Sequence, residues 1–135
     1  MKPFTAFDEK YMIERWVEVE VKELNCAVSV EGPLYEIKNH KGKPVCVYPT
    51  FGLSFPEFVV MIASGGGLIG KDADLRGIDL GGRDLRRANF TGCDLRNANL
   101  SHCKMFGAFF VGADLRGANL KGSDIENAYT TNAIL

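Results

Sequence analysis

The chain lacks an excess of charge of either sign. Sixteen Lys and Arg stand against seventeen Asp and Glu, for a formal net charge of −1. Such a balance draws the whole molecule neither to a membrane surface nor to bulk nucleic acid. Long apolar runs are absent too: Met1-Lys2-Pro3-Phe4 leads into charged residues, so no signal peptide or membrane span is expected. Histidine is scarce, and neither His40 nor His102 sits in a motif that sets a Ser or Cys nucleophile beside it. Cys26, Cys46, Cys93 and Cys103 lack metal-site spacing. Ser64-Gly65-Gly66-Gly67 lacks the Lys-Ser/Thr ending of a phosphate loop and follows a predicted helix, the wrong end for binding phosphate. These gaps argue against an enzyme, a cofactor and a metal, and the expected compartment is the reducing cytoplasm.

What the chain has is a period of five. Every fifth residue from Leu75 to Leu135 is apolar except Thr130. Two places earlier runs a second series, from Ala73 to Ala133, in which eleven of thirteen residues are Ala, Cys or Ser. Between them stands Asp or Asn at nine of thirteen places. Five fits neither a helix nor a strand. It requires a backbone that turns a corner every five residues, which is a solenoid. Gly fills seven of the twelve corner places, where a permissive backbone is needed, and Asn97, Asn127 and Asn132 are the usual second choice. Ile78 and Arg83 occupy slots that should be small. An inward, unpaired Arg is costly, so Arg83 is expected to reach solvent or pair with an N-terminal carboxylate.

The motif A(D/N)LxG, as in Ala73-Asp74-Leu75-Arg76-Gly77 and Ala113-Asp114-Leu115-Arg116-Gly117, resembles the pentapeptide-repeat family over residues 73–135. The resemblance implies a right-handed, four-sided parallel β-helix, one pentapeptide per side and four per coil. Thirteen pentapeptides then give about three coils, roughly 15 Å long at the spacing of neighbouring strands.

Stacking residues twenty apart turns the sequence into a surface map. The first side carries Asp74, Asp94 and Asp114 beside Arg76, Arg96 and Arg116. These columns are expected to neutralise each other, as a solvated ion-pair ladder or else as a recognition surface. The second side, with Asp79, Asn99 and Asn119, is near neutral, and the third, around Arg83, Asp84, Arg86, Arg87 and Lys104, is slightly basic. The fourth is uncharged: residues 88–92, 108–112 and 128–132 contain no Asp, Glu, Lys or Arg. Register sends Phe110 inward and leaves Phe109, Val111 and Tyr129 outside, with Phe106 across the corner. Such an aromatic patch marks an interface or a surface covered by the rest of the chain.

Residues 1–64 have no such period. Val17, Val19 and Val21 alternate with charged residues as in a half-buried strand. Residues 26–30 read as a second strand, 34–38 and 45–48 as a hairpin about Asn39 to Lys43, and Ser54 as the N-cap of a helix reaching about Ala63. The expected organisation is a small α+β domain over 1–64, a linker and solenoid start over 65–72, and the β-helix over 73–135. So small a domain is expected to pack on the first coil as its cap.

Family analogy suggests a protein that inhibits or protects a DNA-processing complex, since some members mimic B-form DNA and bind gyrase. An anti-defence or anti-CRISPR protein of a phage is one such role. About 15 Å of duplex carries roughly nine negative charges, whereas residues 73–135 hold seven acids and eight bases. A mimic surface would therefore use Glu14, Glu18, Glu20 and Glu23 or the column Asp74, Asp94, Asp114. The alternative is a plain protein–protein or homo-oligomeric module using Phe106, Phe109, Val111 and Tyr129. Gyrase-inhibiting members dimerise through their C-terminal ends, which makes Ile134 and Leu135 candidate contacts of a homodimer. Direct binding to nucleic acid or membrane is not expected.

Overall fold

The protein's structure, a computed structural model, describes residues 12–13, 17–21, 26–30, 33–65 and 69–135. Two strand groups open the chain. Met12–Ile13 (β1), Leu34–Lys38 (β4) and Pro44–Pro49 (β5) form an antiparallel sheet in the order β1-β4-β5. Val17–Val21 (β2) and Cys26–Val30 (β3) form a separate antiparallel ribbon. The period-two pattern sets its register: Val17 lies opposite Val30, and Val19 opposite Val28. Most of residues 4–15 lies outside the described residues.

The β4–β5 hairpin is tied by Asn39, whose side-chain oxygen accepts from the backbone N–H of Lys41 at 2.9 Å and of Lys43 at 3.0 Å. The helix Phe55–Ser64 (α1) starts where Ser54 accepts from the Glu57 N–H at 3.4 Å, and Pro56 stands in its first turn. It ends as the Gly65 N–H donates to Met61 O. Phe55, Phe58, Val59 and Ala63 fall on one helical face and are buried. Tyr35 of β4 packs edge-on to Phe55, centroids 5.2 Å apart, and its hydroxyl donates to Leu53 O at 2.7 Å. Such a partner offsets the cost of burying the hydroxyl with its ring.

From Ala73 onward, isolated parallel bridges join residues twenty apart: Asp74 to Asp94 to Asp114, Asp79 to Asn99 to Asn119, and Asn89 to Phe109 to Tyr129. From Leu75 to Leu115, Met105 apart, the N–H of each large apolar residue donates to a carbonyl of the next round, as Leu75 does to Asp94 O at 2.9 Å and Phe90 to Phe109 O at 2.7 Å. Every corner residue from Gly77 to Gly122, and Asn132, holds φ between +56° and +74°, the left-handed region that Gly and Asn tolerate best. The large and small series pack inward, with Leu75 to Phe110 and Ala73 to Ala113 buried throughout apart from Arg83.

The ion pair expected as one outcome for Arg83 does not form among the described residues; the residue is half-buried, partly open to solvent, with its Nε enclosed without a hydrogen-bond partner. Ile78 simply joins the core at 6% exposure. The period also breaks once. Ser123-Asp124-Ile125-Glu126-Asn127 fits the motif, yet Ile125–Asn127 is a 3-10 turn, and Asn127 lacks the positive φ of the other corners. Here the Asp124 carboxylate, not its carbonyl, accepts the Met105 N–H at 2.6 Å. The side chain thus replaces the ladder bond and releases the backbone to tighten.

Residues 33–65 share one core with the first round: Ile37, Cys46, Phe58, Ile69 and Leu75 belong to a single buried cluster. Two backbone bonds continue the ladder into it, Asp74 N–H to Lys38 O at 2.8 Å and Asn89 N–H to Ala63 O at 2.9 Å. Gly70, at φ +128°, passes so close to Val45 that a Cβ would stand 2.8 Å from the valine's.

Candidate protein-docking face

Around Phe109 and Phe110, adjacent residues project to opposite faces of the wall. Inside, Phe90 and Phe110 stack with centroids 5.5 Å apart and planes within 6°. Outside, Phe109 and Tyr129 stack with centroids 4.9 Å apart and planes within 15°. The twenty-residue bridge between Phe109 and Tyr129 makes the outer ladder, because strand spacing matches ring thickness plus offset. Phe109 is 38% exposed, Tyr129 56% and Phe106 62%, while Val111 is half-buried. Phe109, Val111 and Tyr129 thus share one side, and Phe106 stands exposed across the corner on the preceding side.

The Asp column takes a different form. Arg76 folds onto Asp74 through Nε at 2.9 Å and Nη2 at 3.0 Å, Arg96 onto Asp94 at 2.9 and 2.7 Å, and Arg116 onto Asp114 at 3.0 and 2.6 Å. Weaker contacts link the rounds, with Arg76 Nε 3.8 Å from Asp94 and Arg96 Nε 3.7 Å from Asp114. The same two-pronged clamp, which holds a carboxylate flat against a guanidinium, recurs on the third side between Arg86 and Asp84. The Arg86 side chain lowers the Asp84 pKa to about 2.

Asp94 is the buried member, 2% exposed. His40, in the β4–β5 turn, donates from Nε2 to its Oδ2 at 2.7 Å. Burial alone would raise this carboxyl, but hydrogen bonds from Arg96 and His40 outweigh burial and hold it far below the ordinary carboxylate range. Asp94 is therefore a joint between the hairpin and the repeat. Sequence reasoning missed it, because nothing marks a pairing across 54 positions.

Of the other candidates, Glu14 and Glu23 lie outside the described residues, and Glu18 and Glu20 are in β2. Ile134 bridges to Asp114 and is exposed, as is Leu135. Among the described residues no group of three or more His, Cys, Asp or Glu is placed to hold a metal ion. No helix among them is long and apolar enough to cross a membrane.

A wall of five-residue sides bridged every twenty residues, with one aromatic side exposed, defines a parallel β-solenoid. Residues 73–110 and 93–129 match the family model of pentapeptide repeats, described as eight copies. The repeat part of this chain belongs to the pentapeptide-repeat family. No curated protein matches the chain. Among solved structures it is similar to a pentapeptide repeat protein from the Arabidopsis thaliana thylakoid lumen, at 37% identity over 44% of this chain and 48% of that one, TM-score 0.37. It is also similar to one from the cyanobacterium Cyanothece, at 21% identity over 48% of this chain and 61% of that one, TM-score 0.27. A third is HetL of Nostoc, involved in heterocyst differentiation regulation, at 29% identity over 52% and 35% respectively, TM-score 0.24. The chain thus spans about half the length of the first of these and about a third of HetL.

Proposed function

We propose that the protein is a non-catalytic binding module that engages a protein partner through the side carrying Phe109 and Tyr129. One observation carries this reading: two stacked rings stand exposed on a side whose three pentapeptides hold no charge. Desolvating such a side costs little and buries a large apolar area, which suits it to an interface core. In this reading the repeat is a right-handed helix of about three coils. Residues 33–65 close its first end, supported by the shared core and the ladder bonds to Lys38 and Ala63. A DNA-mimic role toward a gyrase-type or anti-defence complex draws less support, because each Asp of the column is held by its own Arg.

The test is a pull-down from the native host with the full chain, beside a Phe109→Asp/Tyr129→Asp variant whose fold is checked by circular dichroism. A protein captured by the native chain and lost by the folded variant is the expected result. Capture that survives the double substitution refutes the reading, and recovery of nothing but a second copy of the chain would make self-association the role of this side.

A further inference from the structure

The charges of the repeat look different once pairing is taken into account. On the third side Asp84 is clamped by Arg86, and Asp124 is occupied by the Met105 N–H and Asn127. Arg87 and Lys104 form no ion pair among the described residues. Arg87 borders the aromatic side, and Lys104 lies on the wall before it. Arg87 is the corner residue next to that side, at φ +63°, and its N–H donates to Phe106 O at 3.1 Å. Lys104 bridges to Asp84 and precedes Phe106 by two residues along the same wall. Ser64, Asp84, Arg86, Arg87 and Phe106 line an open depression of about 560 Å³, in which the Asp84 carboxylate is held by Arg86. One round further on, Glu126 is exposed at the place in register with Phe106.

We infer that the segment docking here is acidic as well as apolar: an extended stretch of a protein partner that lays apolar side chains on Phe106, Phe109 and Tyr129 and turns its carboxylates toward Arg87 and Lys104. This inference rests on the binding-module reading and adds the partner's chemistry by charge complementarity. Glu126 sets the polarity, because it repels a carboxylate at the far end and so directs the acidic part toward the end of α1. A nucleic acid fits less well. Two unpaired cations neutralise little of a phosphate backbone, and the rings stack on each other instead of offering open faces to bases.

The test selects peptides from a random display library on the immobilised full chain, then measures their binding to three proteins: the native chain, Phe109→Asp/Tyr129→Asp, and Arg87→Asp/Lys104→Glu. Asp tolerates the left-handed conformation at position 87, and circular dichroism checks each fold. The expected peptides combine Asp or Glu with aliphatic or aromatic residues. They should bind the charge-reversed variant roughly tenfold more weakly at low salt, as two exposed pairs warrant, with the gap closing as salt rises. Peptides that need the rings but show no acidic bias, or ignore the charge reversal, overturn this inference and leave the docking face standing. Peptides indifferent to the rings overturn both, as does a selection that enriches nothing. A single-stranded oligonucleotide that binds through Arg87 and Lys104 would replace the acidic segment and refute it.

Discussion

Phe109 and Phe110 are neighbours in sequence and opposites in environment, so truncating each in turn reads the register of the solenoid directly. Their backbones are equivalent: the Phe109 N–H donates to Ala88 O and the Phe110 N–H to Tyr129 O, both at 2.8 Å. Only the direction of the side chain differs. Phe110 is fully buried and stacked on Phe90. Replacing it by Ala removes a whole buried ring and leaves a cavity between rigid rounds, at a cost of about 3–5 kcal/mol. Phe109 loses a partly exposed ring and its stack on Tyr129, about 1–2 kcal/mol. Against a total stability of about 5–15 kcal/mol, the first change is severe and the second mild. Urea unfolding followed by far-ultraviolet circular dichroism separates them. With a slope of about 2 kcal/mol/M, Phe110→Ala should lower the midpoint by about 2 M and Phe109→Ala by less than about 1 M. Equal losses, or a larger loss at Phe109, would refute the assigned register.

Three further outcomes follow from the same geometry. Gly117→Ala should destabilise more than Gly112→Ala in the same urea assay: both hold positive φ, but a Cβ at 117 strikes the Asn97 side chain while one at 112 meets nothing within 4 Å. Asp84 and Asp94 have lowered carboxyl pKa values in the folded state. Their contribution is therefore complete above the unfolded value near 4 and is lost as pH falls through the folded values, so the thermal midpoint should hold from about pH 7 to 5 and drop from about pH 4 toward 2. A midpoint that rises on acidification to about pH 3 contradicts this. Burial raises the Cys46 and Cys93 thiols to about 12, so iodoacetamide at neutral pH should label both only after denaturation; prompt labelling in the native state would mean those sites are open.

The five-residue register was legible because it is built from one local rule repeated along the chain, and the hairpin and helix were legible from Asn39, Gly42, Ser54 and Pro56 acting within a few positions. What stayed hidden is what the rule does not encode. The Asp and Arg columns suggested lateral neutralisation, but not that each Arg would clamp the Asp two residues before it. The 3-10 turn at Ile125 was invisible because its residues obey the motif and only the Asp124 side chain, by taking the Met105 N–H, diverts the backbone. His40 joining Asp94 depends on how the hairpin lands on the solenoid, which no local pattern records. Arg83 took the solvent-facing course only in part, since the residue is half-buried and its Nε is enclosed without a partner.

The most direct measurement is calorimetric titration of the partner recovered by pull-down against two folded double variants, Phe109→Ala/Tyr129→Ala on the aromatic side and Asp114→Asn/Arg116→Gln on the charged column. If the aromatic ladder is the docking surface, the first variant loses about a hundredfold in affinity, as the loss of two central aromatic anchors warrants, and the second stays close to the native chain. A partner that tolerates the loss of both rings but fails on the charged column would contradict the account.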